Sequence, residues 1–359
     1  MSNILHVATR KGLVTFRRNV ADWAAGAPAF IGQPVSAVLV DPRDRAIYTA
    51  LRLGHFGVKL HRSDDGGSTW SEISAPAFPA VPNPDEKSPA VDMIWTLVAG
   101  GKDEPGVLWA GTTPGGLFKS TDRGASWTLN EPLWNMPERA GWMGGGYDLP
   151  GIHSVLVDPR DSKSITIAVS TGGVWRSADG GKTWRLTGKG LRAEYMPPAQ
   201  AFDLATQDVH RLSACAAQPD IVWCQHHNGM FRSTDGGETF SEIKDVKPSV
   251  FGFAVSAHPH DPNTAWFVPA IKDELRIPVD CKLVVTKTSD GAKTFAAHAN
   301  GLPDVSYDLI YRHSLDVNAD GARVAIGSTT GNLWVSDDSG RHWSQIHGYL
   351  SPIAAIAFG

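Results

Sequence analysis

Thirteen histidines are spread along this 359-residue chain, and six fall at repeating places from which imidazoles distant in sequence would meet. His153 opens an apolar run, His313 takes the matching place in Arg312-His313-Ser314-Leu315-Asp316, and His210 lies just ahead of Leu212-Ser213-Ala214-Cys215. His226 and His227 occupy a short turn downstream of His210, and His55 the corresponding turn of an earlier segment; other copies carry Thr113, Ser170 or Thr329 there. Three to five imidazoles converging on one point suit a divalent transition metal such as Zn, Fe or Cu, with positions open for substrate. Carboxylates and cations belong to the same set: Asp92, Asp208, Asp308, Glu194, Arg211 and Arg312, with Tyr307 beside Asp308. Asp92 and Asp308 would form the pair of acids that glycoside hydrolysis requires. Arg211 and Arg312 would orient a substrate carboxylate or phosphate.

What positions these residues is a repeat. Ser177-Ala178-Asp179-Gly180-Gly181-Lys182-Thr183-Trp184 has five relatives, Ser63 to Trp70, Ser120 to Trp127, Ser233 to Phe240, Thr288 to Phe295 and Ser336 to Trp343. Their aspartates, Asp65, Asp122, Asp179, Asp235, Asp290 and Asp338, stand 57, 57, 56, 55 and 48 residues apart, so one supersecondary unit recurs. Short polar side chains followed by glycines make a tight turn. Ahead of the boxes lie apolar runs joined by small-residue turns, as in residues 107–119, 164–176, 221–232 and 323–335, which read as hairpins. A further run such as residues 35–42 or 152–159, closed by Asp-Pro, brings the count to four strands per period, a propeller blade.

The S-x-D-x-G-x-T-W pattern resembles the Asp-box, or BNR, repeat of sialidases, xyloglucanases, sortilin-type receptors and photosystem II assembly factors. That resemblance implies an all-β propeller with the boxes at its outer edge, away from the ligand face. Six boxes do not limit it to six blades. Residues 351–359 read as a lone inner strand, while Ile4 to Thr9 and Leu13 to Arg17 match second and third strands. Joined, the two ends give a seventh four-stranded blade and remove free sheet edges. The expectation is a seven-bladed β-propeller forming one domain over residues 1–359. Sialidases, although similar in their boxes, have six blades. Their Arg-Ile-Pro motif occurs here as Arg276-Ile277-Pro278, but in a long loop of the fifth box blade rather than near the first, and is read as coincidence.

Composition limits the partners. A net charge of −4 with signs interspersed leaves no electrostatic footprint for nucleic acid or an anionic membrane. No run approaches the roughly 20 apolar residues of a membrane span. Cys215, Cys224 and Cys281 show neither paired nor metal-type spacing, and the first ten residues lack a signal-peptide core, so a cytoplasmic location is expected.

Long connections at residues 76–90, 128–150, 186–208 and 269–281 all open on one propeller face, and such loops on a rigid scaffold carry function. They hold Trp134, Met136, Trp142, Met143 and Tyr147 around Gly144-Gly145-Gly146, then Glu194, Tyr195 and Met196, a lid or structural cap suited to stacking on sugars or aromatics. The leading expectation is an enzyme whose axial histidines hold a metal for a small anionic or aromatic substrate. In principle this is similar to the carotenoid oxygenases, propellers with histidine-bound iron. The alternatives are a metal-independent glycoside hydrolase working through Asp92, Asp308 or Glu194, and a non-catalytic binding or assembly propeller with a protein partner.

Overall fold

The computed structural model describes residues 2–20, 22–81 and 88–359, and so leaves residues 82–87 of the first long connection outside the account. Its strands form seven four-stranded antiparallel sheets in a ring, a seven-bladed β-propeller. Six sheets follow the chain in order; the fourth, for instance, runs Val209–Cys215, Gln218–His226, Gly229–Ser233 and Ser241–Ile243 from axis to rim. The closing sheet takes its inner strand, Ile353–Phe358, from the C-terminal end and the rest from Ile4–Thr9, Gly12–Asn19 and Asp22–Ala25.

Aromatic side chains fill the gaps between blades. Tyr48, Trp109, Trp175, Trp223, Trp266 and Trp334, one from each box blade, are essentially inaccessible to solvent. Each such ring buries about 150–250 Å² and supplies much of the inter-blade contact. On the face opposite the long loops, the Asp-Pro-Arg turns reach sideways. Arg43 donates to the carbonyls of Glu104 and Val107 in the next blade, and Arg160 likewise pairs with Asp220 of the blade that follows its own. Cys215 and Cys224 are buried free thiols, and Cys281 is also unpaired.

Each box closes the hairpin between the third and fourth strands of its blade. In the third blade the Ser177 hydroxyl donates to Asp179 Oδ1 at 2.8 Å and accepts the Gly181 N–H at 2.8 Å. Asp179 Oδ1 accepts from the Lys182 and Thr183 amides, each at 2.9 Å, and Oδ2 from the Thr183 hydroxyl. Gly181 has φ +86°, a left-handed conformation that side chains disfavour. Trp184 then donates to Asn130 Oδ1 of the preceding blade at 2.9 Å, so the box also fixes its neighbour. Ser177→Ala strands the buried Gly181 amide, and an expected loss of about 1–3 kcal/mol follows from leaving a buried donor unsatisfied. Chemical denaturation measures it; a change within the error of the wild-type curve would contradict this role for the box.

The inner strands share an irregularity that aims side chains at the axis. Pairing with the second strand slips by a residue near the top of the strand, leaving Ser36, Trp95, His153 and His210 as the extra residue of a bulge, and Phe253 with Ala254 in the fifth blade. A bulged residue is unpaired and re-aimed relative to the regular alternation. One residue from each of these five blades is thereby set at the same height around the axis.

Candidate functional site

Two elements of the fourth blade and the preceding loop build the centre of the mouth. Asp208 ends the loop, His210 is the bulged residue of Val209–Cys215, and His227 follows the second strand in its turn to the third. The His227 amide donates to the Asp208 carbonyl at 2.9 Å and holds turn and loop together. Asp208 Oδ2 lies 3.3 Å from His227 Nδ1 and 3.8 Å from His210 Nε2, and one ligand atom from each residue falls within 4.8 Å of the other two. His210 Nδ1 is 2.7 Å from the Gly252 carbonyl, which requires the proton on Nδ1 and leaves Nε2 as a lone pair. Its ring stacks on Phe253 with centroids 4.4 Å apart.

Arg312 stands above this group. Its guanidinium lies 5.1 Å from the Trp95 ring centroid and 5.3 Å from that of Phe253, and donates to the Gly145 carbonyl at 3.2 Å. A Cβ at Gly145 would stand 2.9 Å from Asp208 Oδ1 and push the carboxylate aside. Two residues on, Tyr147 meets Trp95 edge to face at 5.0 Å, with Arg52 over its ring and Asp92 paired to Arg52 at 2.6 Å. From the other side Tyr195 meets His227 edge-on at 5.3 Å.

Charge is distributed unevenly. Burial opposes ionisation of Asp208, but the His227 hydrogen bond and the Arg312 guanidinium hold its carboxyl well below the usual range. Burial lowers His210 to about 3 despite the carboxylate, so that ring is neutral at pH 7. For His227 burial also acts downward, yet the Asp208 hydrogen bond prevails and its pKa is raised.

Several expected site residues do other work. His153 and His313 are tied to each other instead: His313 Nε2 donates to the His153 carbonyl at 2.8 Å, and Arg211 donates to the same oxygen at 3.2 Å. Burial pushes both imidazoles well below 6.5. It also lifts Asp316, beside Arg211, to about 6. His226 spends its Nδ1 lone pair on the Asn228 amide and meets Phe231 edge to face, and it is not one of the three residues whose ligand atoms gather at Asp208. His55 stacks on Phe56 in the exposed turn Gly54–Phe56 of the first blade. Glu194 is exposed and bound to Arg192, and Tyr307 is 64% exposed. In the lid, Trp134 packs on Phe78 and Trp142 on Trp175, a structural cap, whereas Met143 and Tyr147 remain exposed. Arg276, read as coincidence in the sequence, reaches the mouth and lies 5.3 Å from the Phe253 ring centroid. The loop that carries it, residues 269–281, is one of the long connections expected on this face.

Asp308 is enclosed in a local network, accepting from Ser306 at 2.5 Å, from Asn332 at 2.9 Å and from Thr330. Burial acts upward on its pKa, but these donors hold it below the usual value. A depressed folded pKa stabilises above the unfolded value of about 3.9 and ceases to do so as pH falls through the folded one. Asp308→Ala should therefore cost about 1.5–3 kcal/mol at pH 7, with a smaller difference from wild type at pH 3 than at pH 7. Urea titrations at both values test this, and an equal difference at both would refute it.

The curated relatives that match in sequence are xyloglucanases, whereas the solved structures that resemble the chain include both GH74 enzymes and YCF48. A xyloglucanase from Hypocrea jecorina is 29% identical over 164 residues, 41% of this chain, and one from a Paenibacillus species 24% identical over 188 residues, 48% of it. Each match spans only 18% of the relative's own length. Among solved structures, a GH74 xyloglucanase from Xanthomonas campestris superposes with TM-score 0.66 at 17% identity, covering 99% of this chain and 53% of that one. YCF48 from Cyanidioschyzon merolae superposes with TM-score 0.58 at 15% identity over 94% of this chain and 96% of its own. No family model matches. These structural likenesses confirm the propeller. The sequence relatives favour the glycoside-directed alternative over the metal-dependent enzyme that the histidines suggested.

Proposed function

We propose that the chain is a carbohydrate-active propeller of the Asp-box superfamily, engaging a xyloglucan-type polysaccharide or its oligosaccharides at the axial mouth. The observation that carries this reading is the loop through Gly145 and Tyr147. It sets a part-exposed aromatic face beside charged groups that converge from four blades, Asp92 with Arg52 on one side and Asp208 with Arg312 on the other. Sugar recognition uses this combination, an aromatic ring under the apolar face of a pyranose and charged hydrogen-bonding groups at its hydroxyls. The xyloglucanase names of the sequence relatives support the same ligand class.

Hydrolysis is a second step beyond binding. It requires two carboxylates across the scissile bond, one of them protonated. Asp308 is committed to its network, which leaves Asp92 and Asp208 as the described acids flanking Tyr147. Calorimetry with xyloglucan oligosaccharides should show binding that Tyr147→Ala weakens about tenfold, or about 1.4 kcal/mol. Reducing-sugar release that Asp92→Asn abolishes would add catalysis. No binding of any xyloglucan oligosaccharide at millimolar concentration would defeat the proposal.

A further inference from the structure

The group at Asp208 has an electrostatic arrangement that a carbohydrate does not explain. His210 presents a lone pair from Nε2, because its other nitrogen is engaged by the Gly252 carbonyl, and this lone pair faces Asp208 Oδ2 at 3.8 Å. Two acceptors turned toward one another need a proton donor or a metal ion between them. Asp208 Oδ1 is likewise buried with no donor within hydrogen-bonding distance, on a residue only 7% exposed. His227 Nδ1 closes the third side, 3.3 Å from Oδ2.

We propose that Asp208, His210 and His227 bind one divalent first-row transition metal ion, facing the mouth. Ligands about 2.0–2.1 Å from a tetrahedral zinc stand about 3.4 Å apart; Asp208 Oδ2 is already 3.3 Å from His227 Nδ1 and 3.8 Å from His210 Nε2, and the three donor atoms lie within 4.8 Å of one another. Two imidazoles and a carboxylate with an open side are a donor set for zinc or non-haem iron. Supporting contacts have the form such sites use: a backbone carbonyl fixes the tautomer and ring plane of His210, and Phe253 packs along its face. His227, the one half-buried ligand, borders the opening toward Tyr195, so an exchangeable ligand would enter there. Among the described residues no other group of three such side chains comes together. This site does not depend on the glycan reading, since the ion would bind with or without sugar.

The test uses untagged full-length protein, stripped with chelator and titrated with Co²⁺ and with Zn²⁺. One equivalent of each is expected, with a visible Co²⁺ absorption band that Zn²⁺ displaces. His227→Ala should weaken binding about 100-fold or more, whereas His55→Ala and His260→Ala should leave it unchanged. Circular dichroism establishes that the variant is folded. Should His227→Ala fail to fold, X-ray absorption on the wild-type Co²⁺ complex decides instead, with two imidazole ligands expected. Absence of stoichiometric binding of either ion at 1 mM (~10 times a weak site's Kd), unchanged affinity in folded His227→Ala, or a spectrum without imidazole ligands would each overturn the proposal.

Discussion

Ending the chain at residue 350 is expected to abolish cooperative unfolding and leave the protein aggregated. The lost segment contains Ile353–Phe358, the inner strand of the closing blade, paired along Ile4–Thr9 from Leu5 opposite Phe358 to Thr9 opposite Ile353. Ile353 and Ile356 are buried against Leu5, Val7 and Phe16. Each isoleucine contributes about 1.5–3 kcal/mol, and uncovering Leu5 and Val7 adds a comparable amount. The total is on the order of a domain's whole stability, about 5–15 kcal/mol. The strand Ile4–Thr9 would also become an open edge ready to pair with another chain. Size-exclusion chromatography and thermal circular dichroism read the outcome, and a peptide of residues 351–359 added in trans should restore some monomer. A soluble truncated monomer with an unshifted melt would show that the ring does not rely on this closure.

Asp208→Asn is expected to be the most costly single change at the mouth. The amide keeps the shape but removes the negative charge around which His227 and the buried Arg312 are gathered. Breaking a buried charge pair by neutralising one partner costs about 3–5 kcal/mol, because the other charge stays buried without compensation. Denaturation in the presence of chelator isolates this effect from any bound ion. Asp92→Asn provides the contrast: its pair with Arg52 is 37% and 36% exposed, so about 1 kcal/mol or less is expected. Equal stability of the two variants would show that Arg312 finds its compensation elsewhere.

The architecture was legible in the sequence because each box is a local turn whose chemistry is complete within eight residues. Ser177, Asp179 and Thr183 bond only to one another and to the amides between them, so the motif reports its own structure. Closure was legible too, since the run Ile4 to Thr9 lacked an inner partner that only residues 351–359 remained to supply. The mouth was read less completely. Strand periodicity predicts which face a residue occupies, but a bulge shifts that alternation by one exactly where His153 and His210 lie. Spacing also cannot separate neighbours in a turn. His226 folds back against Phe231 while His227 turns to Asp208, a distinction made by the Asn228 amide that captures His226 Nδ1.

The slipped register at the top of the inner strands leaves a position that owes nothing to the sheet's own hydrogen bonding. Ser36, Trp95, His153, His210 and Phe253 share that position yet differ in size, polarity and charge. Exchanging one of them alters what the axis offers a visitor without unpicking a rung of any blade. The ring is thus a socket board: specificity can be rewired one contact at a time, while the girdle of turns around the rim keeps the frame unchanged.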